Sequence, residues 1–469
     1  MQTSPGGHGG TNPGALERVT FYHWIVFILA SLGWTFDCMD QRIFALAREP
    51  AIAELLPEDV APRGETADEE KGRREIRYAL VRSWGGWATG ILMIGWATGG
   101  IIFGMMSDRW GRVKTMVVTL VVYAGFTGLS GISRTPMEFL IYRFLVGLGV
   151  GGMFASATTL LAESVPGRFR AIALGSLQAL SAGGNIIGSL LSMYIQPGQS
   201  EFLFGLSGWR ILFFVGFLPV ILGIPMLLLL REPDRWKEAK RKAREAGGHS
   251  SRHVGSIPDL FRHPVWRRNT LVGVCLGLAG MAGLWGIGFF SPELITNALR
   301  AQGEPQSVID VVRGRATALQ DVGSFLGMVV FTIVATAVGR RPAFFFAFLM
   351  CLATTIFVFN RLQTSTDAYW MLPLMGFAQL SVFGGYSIYF PEIFPTRLRG
   401  TGVGFCYNTV RYLAAAFPPM LMYLNAMLVT QGVEEPFRKA ATYLSAVFAL
   451  GLVALIWAPE TKGQPLPED

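Results

Sequence analysis

Twelve stretches of this chain are apolar over lengths that suit a bilayer, and that leaves few folds open. Their approximate bounds are 21–46, 84–106, 113–132, 136–161, 169–195, 209–230, 269–297, 314–338, 342–360, 369–390, 401–426 and 439–458. A helix of about 20 mostly apolar residues crosses the hydrocarbon layer. Inside that layer backbone polar groups must be satisfied within the protein, so a helix is the natural spanning form. Charge is correspondingly scarce: Asp, Glu, Lys and Arg make up 15% of the 469 residues, against about 25% in an ordinary soluble chain. The expected fold class is an all-α membrane protein with twelve transmembrane helices. A water-soluble enzyme is excluded, and no catalytic residues are expected.

The polar residues gather between the spans. Residues 231–268 hold eleven Lys/Arg against five acids. Such clusters mark the cytoplasmic side of a membrane protein, so the net charge of +8 requires no nucleic-acid partner. With an even number of spans, this linker, the turn 104–112 and both termini share one side, expected to be cytoplasmic. The opposite loops near 196–208 and 361–368 are poor in positive charge. Residues 1–20 form a tail, Gly/Pro/Ser-rich and disordered in character up to Gly14. No cleavable signal precedes the first span, which is expected to remain as an anchor. Cys38, Cys275, Cys351 and Cys406 all fall in spans without metal-ligand spacing and read as packing residues. No metal and no cofactor is expected. The absence of an Asn-x-Ser/Thr sequon fits a bacterial plasma membrane.

The chain repeats its own punctuation. Ala162-Glu163-Ser-Val-Pro166-Gly-Arg168-Phe-Arg170 closes the fourth span, and Pro391-Glu392-Ile-Phe-Pro395-Thr-Arg397-Leu-Arg399 closes the tenth; Glu163 and Glu392, like Arg170 and Arg399, are 229 apart. Gly111-Arg112 recurs as Gly339-Arg340, and Glu232 as Glu460, each 228 on. Two six-helix pseudo-symmetric halves follow, at 21–230 and 269–458. Residues 47–83 form a charged, helix-prone outer loop, 231–268 the linker, in which Arg235–Glu245 suits a surface helix, and 459–469 a second tail.

These motifs carry a family resemblance that covers nearly the whole chain. Gly104-Met-Met-Ser-Asp108-Arg109-Trp-Gly111-Arg112 matches the signature loop G-x-x-x-D-R-x-G-R of the major facilitator superfamily. Arg143-Phe-Leu-x-Gly147-x-Gly149-x-Gly151-Gly152 resembles its fourth-span motif, and Pro459-Glu-Thr-Lys-Gly463 a motif of its sugar-porter and organic-ion branches. Phe36-Asp37-Cys38-Met39-Asp40 resembles the D-G-x-D element of aromatic acid:proton symporters, with Cys38 in place of Gly. Pro391 to Arg411 resembles sialate and aromatic-acid symporters. Gln178 matches a sugar-porter position, whereas Gly277–Pro292 lacks the paired glutamines usual in that branch. The resemblance implies the major facilitator fold, a monomer as default, and a substrate site between the halves near mid-membrane.

A few charged residues lie inside the spans, where a charge costs at least ~2.5–3.5 kcal/mol unless it is paired or wetted. Asp37 and Asp40, three apart, share one face of a helix. Two carboxylates so close in a low dielectric compete for ionisation, which suits a group that carries a proton. Arg143 is the expected partner of Asp37. The alternative is a static pair with Arg42. Arg411 is the other interior charge; a free guanidinium can grip a substrate carboxylate through two parallel hydrogen bonds. The alternative pairs it with an acid of another span, Asp321 among them. Trp34, Gln178, Asn408, Tyr386 and Tyr407 are candidate substrate contacts, and Asn185, Trp285, Phe289, Phe383 and Tyr389 share their cavity-prone spans. Asp108, Arg109, Arg112, Glu163, Arg170, Glu232, Arg340, Glu392, Arg399 and Glu460 stand at helix ends. By resemblance they form the salt-bridge lattice of an inner gate; the plain alternative is positive-inside topology.

The expected function is secondary transport by alternating access: proton-coupled uptake of a small organic anion, driven by a proton gradient. Partners are the substrate, the proton and the lipid bilayer. The alternatives are a proton-coupled sugar or polyol symporter, drug efflux, and a membrane sensor built on a carrier fold.

Overall fold

The computed structural model describes residues 19–57, 67–245 and 254–468. Most of the N-terminal tail, 58–66 of the outer loop, 246–253 of the linker and Asp469 lie outside the described residues. Among these, twelve helices are long and apolar enough to cross a membrane. They are α1 Phe21–Leu55, α2 Ala67–Trp110, α3 Arg112–Ser130, α4 Pro136–Ser164, α5 Gly167–Ile195 and α6 Gly208–Leu229, then α7 Pro264–Ala301, α8 Gln306–Ala337, α9 Arg340–Arg361, α10 Ser365–Glu392, α11 Thr396–Thr430 and α12 Pro436–Ala454. α6, α7, α11 and α12 are each interrupted by short 3-10 or turn segments. The chain is helical over 47–55 and 67–83, so most of the expected outer loop is extra turns on α1 and α2. The linker carries its own helix, Asp234–Glu245.

Local chemistry sets the ends. Thr135 caps α4 by accepting the Glu138 N–H, with Pro136 in the first turn, and Thr364 forms a capping box with Asp367 on α10. Gly111 and Gly339 precede α3 and α9 at φ +127° and +128°, a conformation that favours glycine. That is why Gly-Arg recurs.

The halves pack by one rule used twice. A Cβ on Gly95 would lie 2.2 Å from the Phe144 carbonyl and one on Gly99 2.0 Å from that of Leu148; a Cβ on Gly323 would lie 2.0 Å from the Pro373 carbonyl and one on Gly327 2.0 Å from that of Phe377. Small residues let α2 meet α4, and α8 meet α10, backbone to backbone. Outward side chains such as Leu190, Ile224, Leu228, Ile333 and Phe346 are exposed, as a lipid-facing surface requires.

Candidate functional site

The chain ends, the linker and the turn before α3 lie on one face, called here the terminal face. Each half carries the same brace there. The Arg112 guanidinium donates to both oxygens of Glu163 at 3.0 Å and to the Ser107 carbonyl at 2.8 Å. The Arg340 guanidinium donates to both oxygens of Glu392, at 3.0 and 2.8 Å, and to the Ala335 carbonyl at 3.1 Å. Glu232 accepts the N–H groups of Arg112, Val113 and Lys114, while Glu460 accepts those of Arg340 and Arg341. A carboxylate at a helix N-terminus satisfies orphan donors and complements the dipole.

A smaller set crosses between the halves. Glu163 also accepts from Arg399, Arg112 donates to the Thr396 carbonyl at 2.7 Å, and Asp108 accepts from Gly400 N at 3.0 Å, Thr401 N at 2.8 Å and Thr401 Oγ1 at 2.6 Å. Asp108 of one half thus caps a helix of the other. All these side chains are buried. Above them α2 and α11 run antiparallel in close contact: a Cβ on Gly404 would sit 2.2 Å from the Gly100 carbonyl, and one on Gly104 2.7 Å from that of Gly400. The terminal face is closed. On the opposite face one ion pair, Arg42–Asp321 at 2.7 Å, bridges α1 and α8 with side chains 30% and 46% exposed.

Mid-membrane polar groups occupy the boundary between the halves. Arg411 of α11 lies with Cζ 3.6 Å from the centre of the Trp96 ring of α2 and 5.2 Å from that of Tyr407. Tyr407 stacks on Phe154 of α4 at 3.9 Å, and Phe154 contacts Trp34 of α1 at 5.1 Å. Among the described residues no carboxylate forms an ion pair with Arg411, and its Nε has no hydrogen-bond partner. Asp37, fully buried, feels Asp40 and the Gln41 amide of its own helix first and Arg411 more weakly, and neither of its oxygens makes a hydrogen bond of normal geometry. Gln178 Oε1, Asn408 Oδ1 and the indole N–H groups of Trp34 and Trp96 are likewise buried and unpaired. Buried polar groups are normally satisfied; unsatisfied donors and acceptors on the spans that meet at this boundary, with one cation among them, suit a polar ligand with an anionic end.

Residues 78–419 match the family described as Major Facilitator Superfamily. The chain belongs to that superfamily. It is a multi-pass membrane transporter, not an enzyme. It is 28% identical to the cis,cis-muconate transport protein of Acinetobacter baylyi over 71% of this chain and 76% of that protein. It is 28% identical to the sialic acid transporter NanX of Escherichia coli over 76% and 77%, and 25% identical to the niacin transporter NiaP of A. baylyi over 95% and 96%. Its fold matches that of the proton:xylose symporter XylE with a TM-score of 0.70 at 18% identity, over 95% of this chain and 98% of that one. The resemblance to the organic-anion branch read from the motifs stands, and the twelve-helix fold is the expected one.

Within the transporter several expected partners change. Arg143 does not pair with Asp37. It donates to Ser130 Oγ, interacts electrostatically with Asp40, and is enclosed by Phe213, Phe44 and Phe139 at 4.7, 5.4 and 5.5 Å. Three residues of helix turn Asp40 about 60° from Asp37, enough to send one carboxylate into the N-terminal half and the other to its boundary. Arg42 and Asp321 pair with each other, so neither serves Asp37 or Arg411. The Tyr386 hydroxyl donates to the Leu276 carbonyl at 2.6 Å inside the C-terminal half, which takes it out of the polar cluster. Tyr389 donates to the Pro459 carbonyl, and the Phe289 side chain lies outside the described set.

Among the described residues, only Asp108, Arg112, Glu163 and Arg399 of the ten helix-end residues make hydrogen bonds or ion pairs across the halves. Arg170 donates to the Ala162 carbonyl, and Glu232, Arg340, Glu392 and Glu460 brace their own half. Arg109 is exposed and holds the linker through the Val254 carbonyl at 3.1 Å. The linker reaches both halves: Trp236 Nε1 donates to the Asp108 carbonyl at 2.7 Å and Gly255 N to the Arg397 carbonyl at 3.0 Å. Trp96, Phe154 and Trp236 are absent from the sequence candidates. An aromatic residue in a span is too common to single out, and their partners lie far along the chain. A separate cavity of about 680 Å³ on the opposite face, lined in part by Glu293, Asn297, Glu435 and Arg438, is remote from this chemistry.

Proposed function

We propose that the transporter takes up a small organic anion (a monocarboxylate, an aromatic acid or an acidic sugar) together with a proton, by alternating access. The observation that carries this reading is Arg411: a half-buried guanidinium between the halves, with no acid pairing it among the described residues and Asp37 close enough to feel its charge. Asp37 and a substrate carboxylate compete for one cation. A proton on Asp37 leaves Arg411 to the substrate. Loss of that proton after the site turns inward restores the competitor and expels the anion. Asp40 and Arg143 stay together inside the N-terminal half and fix α1 against α4 while the halves rock. The terminal face is the cytoplasmic one in this reading, both termini lie inside, and the membrane is a bacterial inner membrane. The protein acts as a monomer and needs no cofactor beyond the proton gradient. The names of the muconate, sialic acid and niacin transporters support the anionic substrate.

One observation favours a second reading, proton-coupled sugar uptake: the buried Gln178 amide oxygen is unpaired and suits a hydroxyl donor.

Purified protein in liposomes loaded with a pH dye separates the two. Benzoate, nicotinate, cis,cis-muconate, N-acetylneuraminate and xylose are added outside at acidic pH, beside Asp37→Asn and Arg411→Ala. Lumenal acidification with one of the acids, lost in both variants, is the expected result. Acidification with xylose alone moves the function to sugar uptake and reduces Arg411 to a structural cation.

A further inference from the structure

Trp96 stands outside every group that the sequence singled out, yet its surroundings give it a task. It is 6% exposed, and its indole N–H is unpaired. Its backbone is clamped to α4: a Cβ on Gly151 would lie 2.1 Å from the Trp96 carbonyl and one on Gly147 2.8 Å from its nitrogen. The indole therefore moves with the N-terminal half. Arg411, on the C-terminal half, places its Cζ over the indole, 3.6 Å from the ring centre.

This contact completes a ladder. Asp108 meets Gly400 and Thr401, Gly104 meets Gly400 and Gly404, Gly100 meets Gly404 and Asn408, and Trp96 meets Arg411. The rungs recur every four residues on α2, as one helix face requires. The last rung joins the seam that closes the terminal face to the cation of the proposed anion site. A guanidinium in a low-dielectric boundary gives up one partner only where another replaces it.

We propose that Trp96 is a positioning residue through which the anion site and the seam sense each other. With the seam closed, the indole face holds the Arg411 guanidinium and leaves its Nε without a hydrogen-bond partner. When α11 moves off α2 the guanidinium loses the indole, and a bound carboxylate takes its place. The loaded carrier therefore opens toward the terminal face more readily than the empty one. Only this last step rests on the anion reading; the seam step needs no substrate.

The test uses full-length protein carrying Ser107→Cys, a buried seam position beside Gly400. Inside-out vesicles are exposed to a membrane-impermeant maleimide, and the chain without Ser107→Cys sets the background. Without ligand, Trp96→Leu should raise the labelling rate by roughly 2- to 30-fold, the range that one cation–π contact supports. Trp96→Phe, which keeps an aromatic face, should stay near the parent. Arg411→Gln removes the same contact from the other side and should match Trp96→Leu, so the idea stays testable if that variant fails to fold. Parent-level labelling in both Trp96→Leu and Arg411→Gln would overturn the proposal. Benzoate, nicotinate and cis,cis-muconate are then added singly. An acid that is transported should raise labelling in the parent and little further in Trp96→Leu; an equal rise in both would overturn the coupling while leaving anion transport intact. If none of the acids binds the parent, the anion reading fails and the ligand-free arm still decides the seam.

Discussion

Replacing Gly404 by alanine places a methyl group 2.2 Å from the Gly100 carbonyl oxygen and 3.2 Å from the Gly104 Cα. Both neighbours are backbone of the other half, so no side chain can turn aside. Carbon contacts are comfortable only from about 3.5 Å, so α2 and α11 must part by roughly 1 Å or more. Overpacking of this kind costs ~1–3 kcal/mol. The penalty falls only on the state with the terminal face closed, because the helices separate when that face opens. Each ~1.4 kcal/mol is tenfold in population, so the open:closed ratio should rise by roughly 5- to 150-fold. Spin labels at Lys114→Cys and Arg341→Cys, both exposed on the terminal face, report this as a distance distribution. The parent should show mainly the short distance, and Gly404→Ala a gain in the long one. Gly183→Ala, where an added Cβ meets nothing within 4 Å, is the control. An unchanged distribution in Gly404→Ala would refute the argument that this seam, rather than the ion pairs below it, sets the gap between the halves.

Two further outcomes follow from one buried and one exposed carboxylate. Asp40→Asn leaves Arg143 without its nearby carboxylate and should lower the melting temperature in detergent more than Arg143→Met, which removes the charge and keeps the stem. The pair does not close within salt-bridge distance, so the loss should fall below the ~3–5 kcal/mol of a broken contact pair, and the double variant should recover most of it. Glu460 lies beyond the last span. Burial alone pushes its carboxyl up, but the N–H groups of Arg340, Arg341, Lys462 and Thr461 outweigh it and hold the group below its ordinary value. Its stabilisation is therefore full above the unfolded value of about 4.3 and is lost as pH falls through the lowered folded value. Glu460→Gln should destabilise by about 0.5–2 kcal/mol, as a lost helix cap does. Melts should show that gap constant from about pH 6 to 8 and narrowing below about pH 4; a gap that widened on acidification would contradict the assignment.

The spans were legible because a bilayer tolerates few charges, and the fold of each half because positive-φ glycines and brace arginines repeat at fixed spacing. The glycine pairs Gly95/Gly99 and Gly323/Gly327 repeat as faithfully, but among 56 glycines only the packing distances mark them out. Partner choice was the part the sequence hid. Asp37 and Asp40 differ by one step around a helix that lies on the boundary between the halves, and no local signal tells which carboxylate faces inward. Arg42 and Asp321 are 279 residues apart, and Arg411 and Trp96 farther still; a stack or an ion pair across two halves depends on how those halves meet. The outer loop was helix-prone by composition, yet charge suggested a tether, since charges beyond the membrane surface do not oppose additional helical turns.

The braces are duplicated, but the lock between them is not. Glu163 grips Arg399 of the other half, whereas Glu392 is taken up by Arg340 and Thr461 of its own. The position 228 residues after Asp108 is Thr336, whose hydroxyl turns back to its own helix at Thr332. A twofold rotation would lay Glu163–Arg399 over Glu392 and Arg170, which feel each other electrostatically but share no hydrogen bond or ion pair among the described residues. The inherited scaffold and the bias of the machine thus meet in Arg112 and Glu163, which serve both, and part elsewhere. Substitution of Thr401, whose hydroxyl donates to Asp108 of the other half, can retune how long the carrier waits on each side of the membrane while both bundles keep their shape.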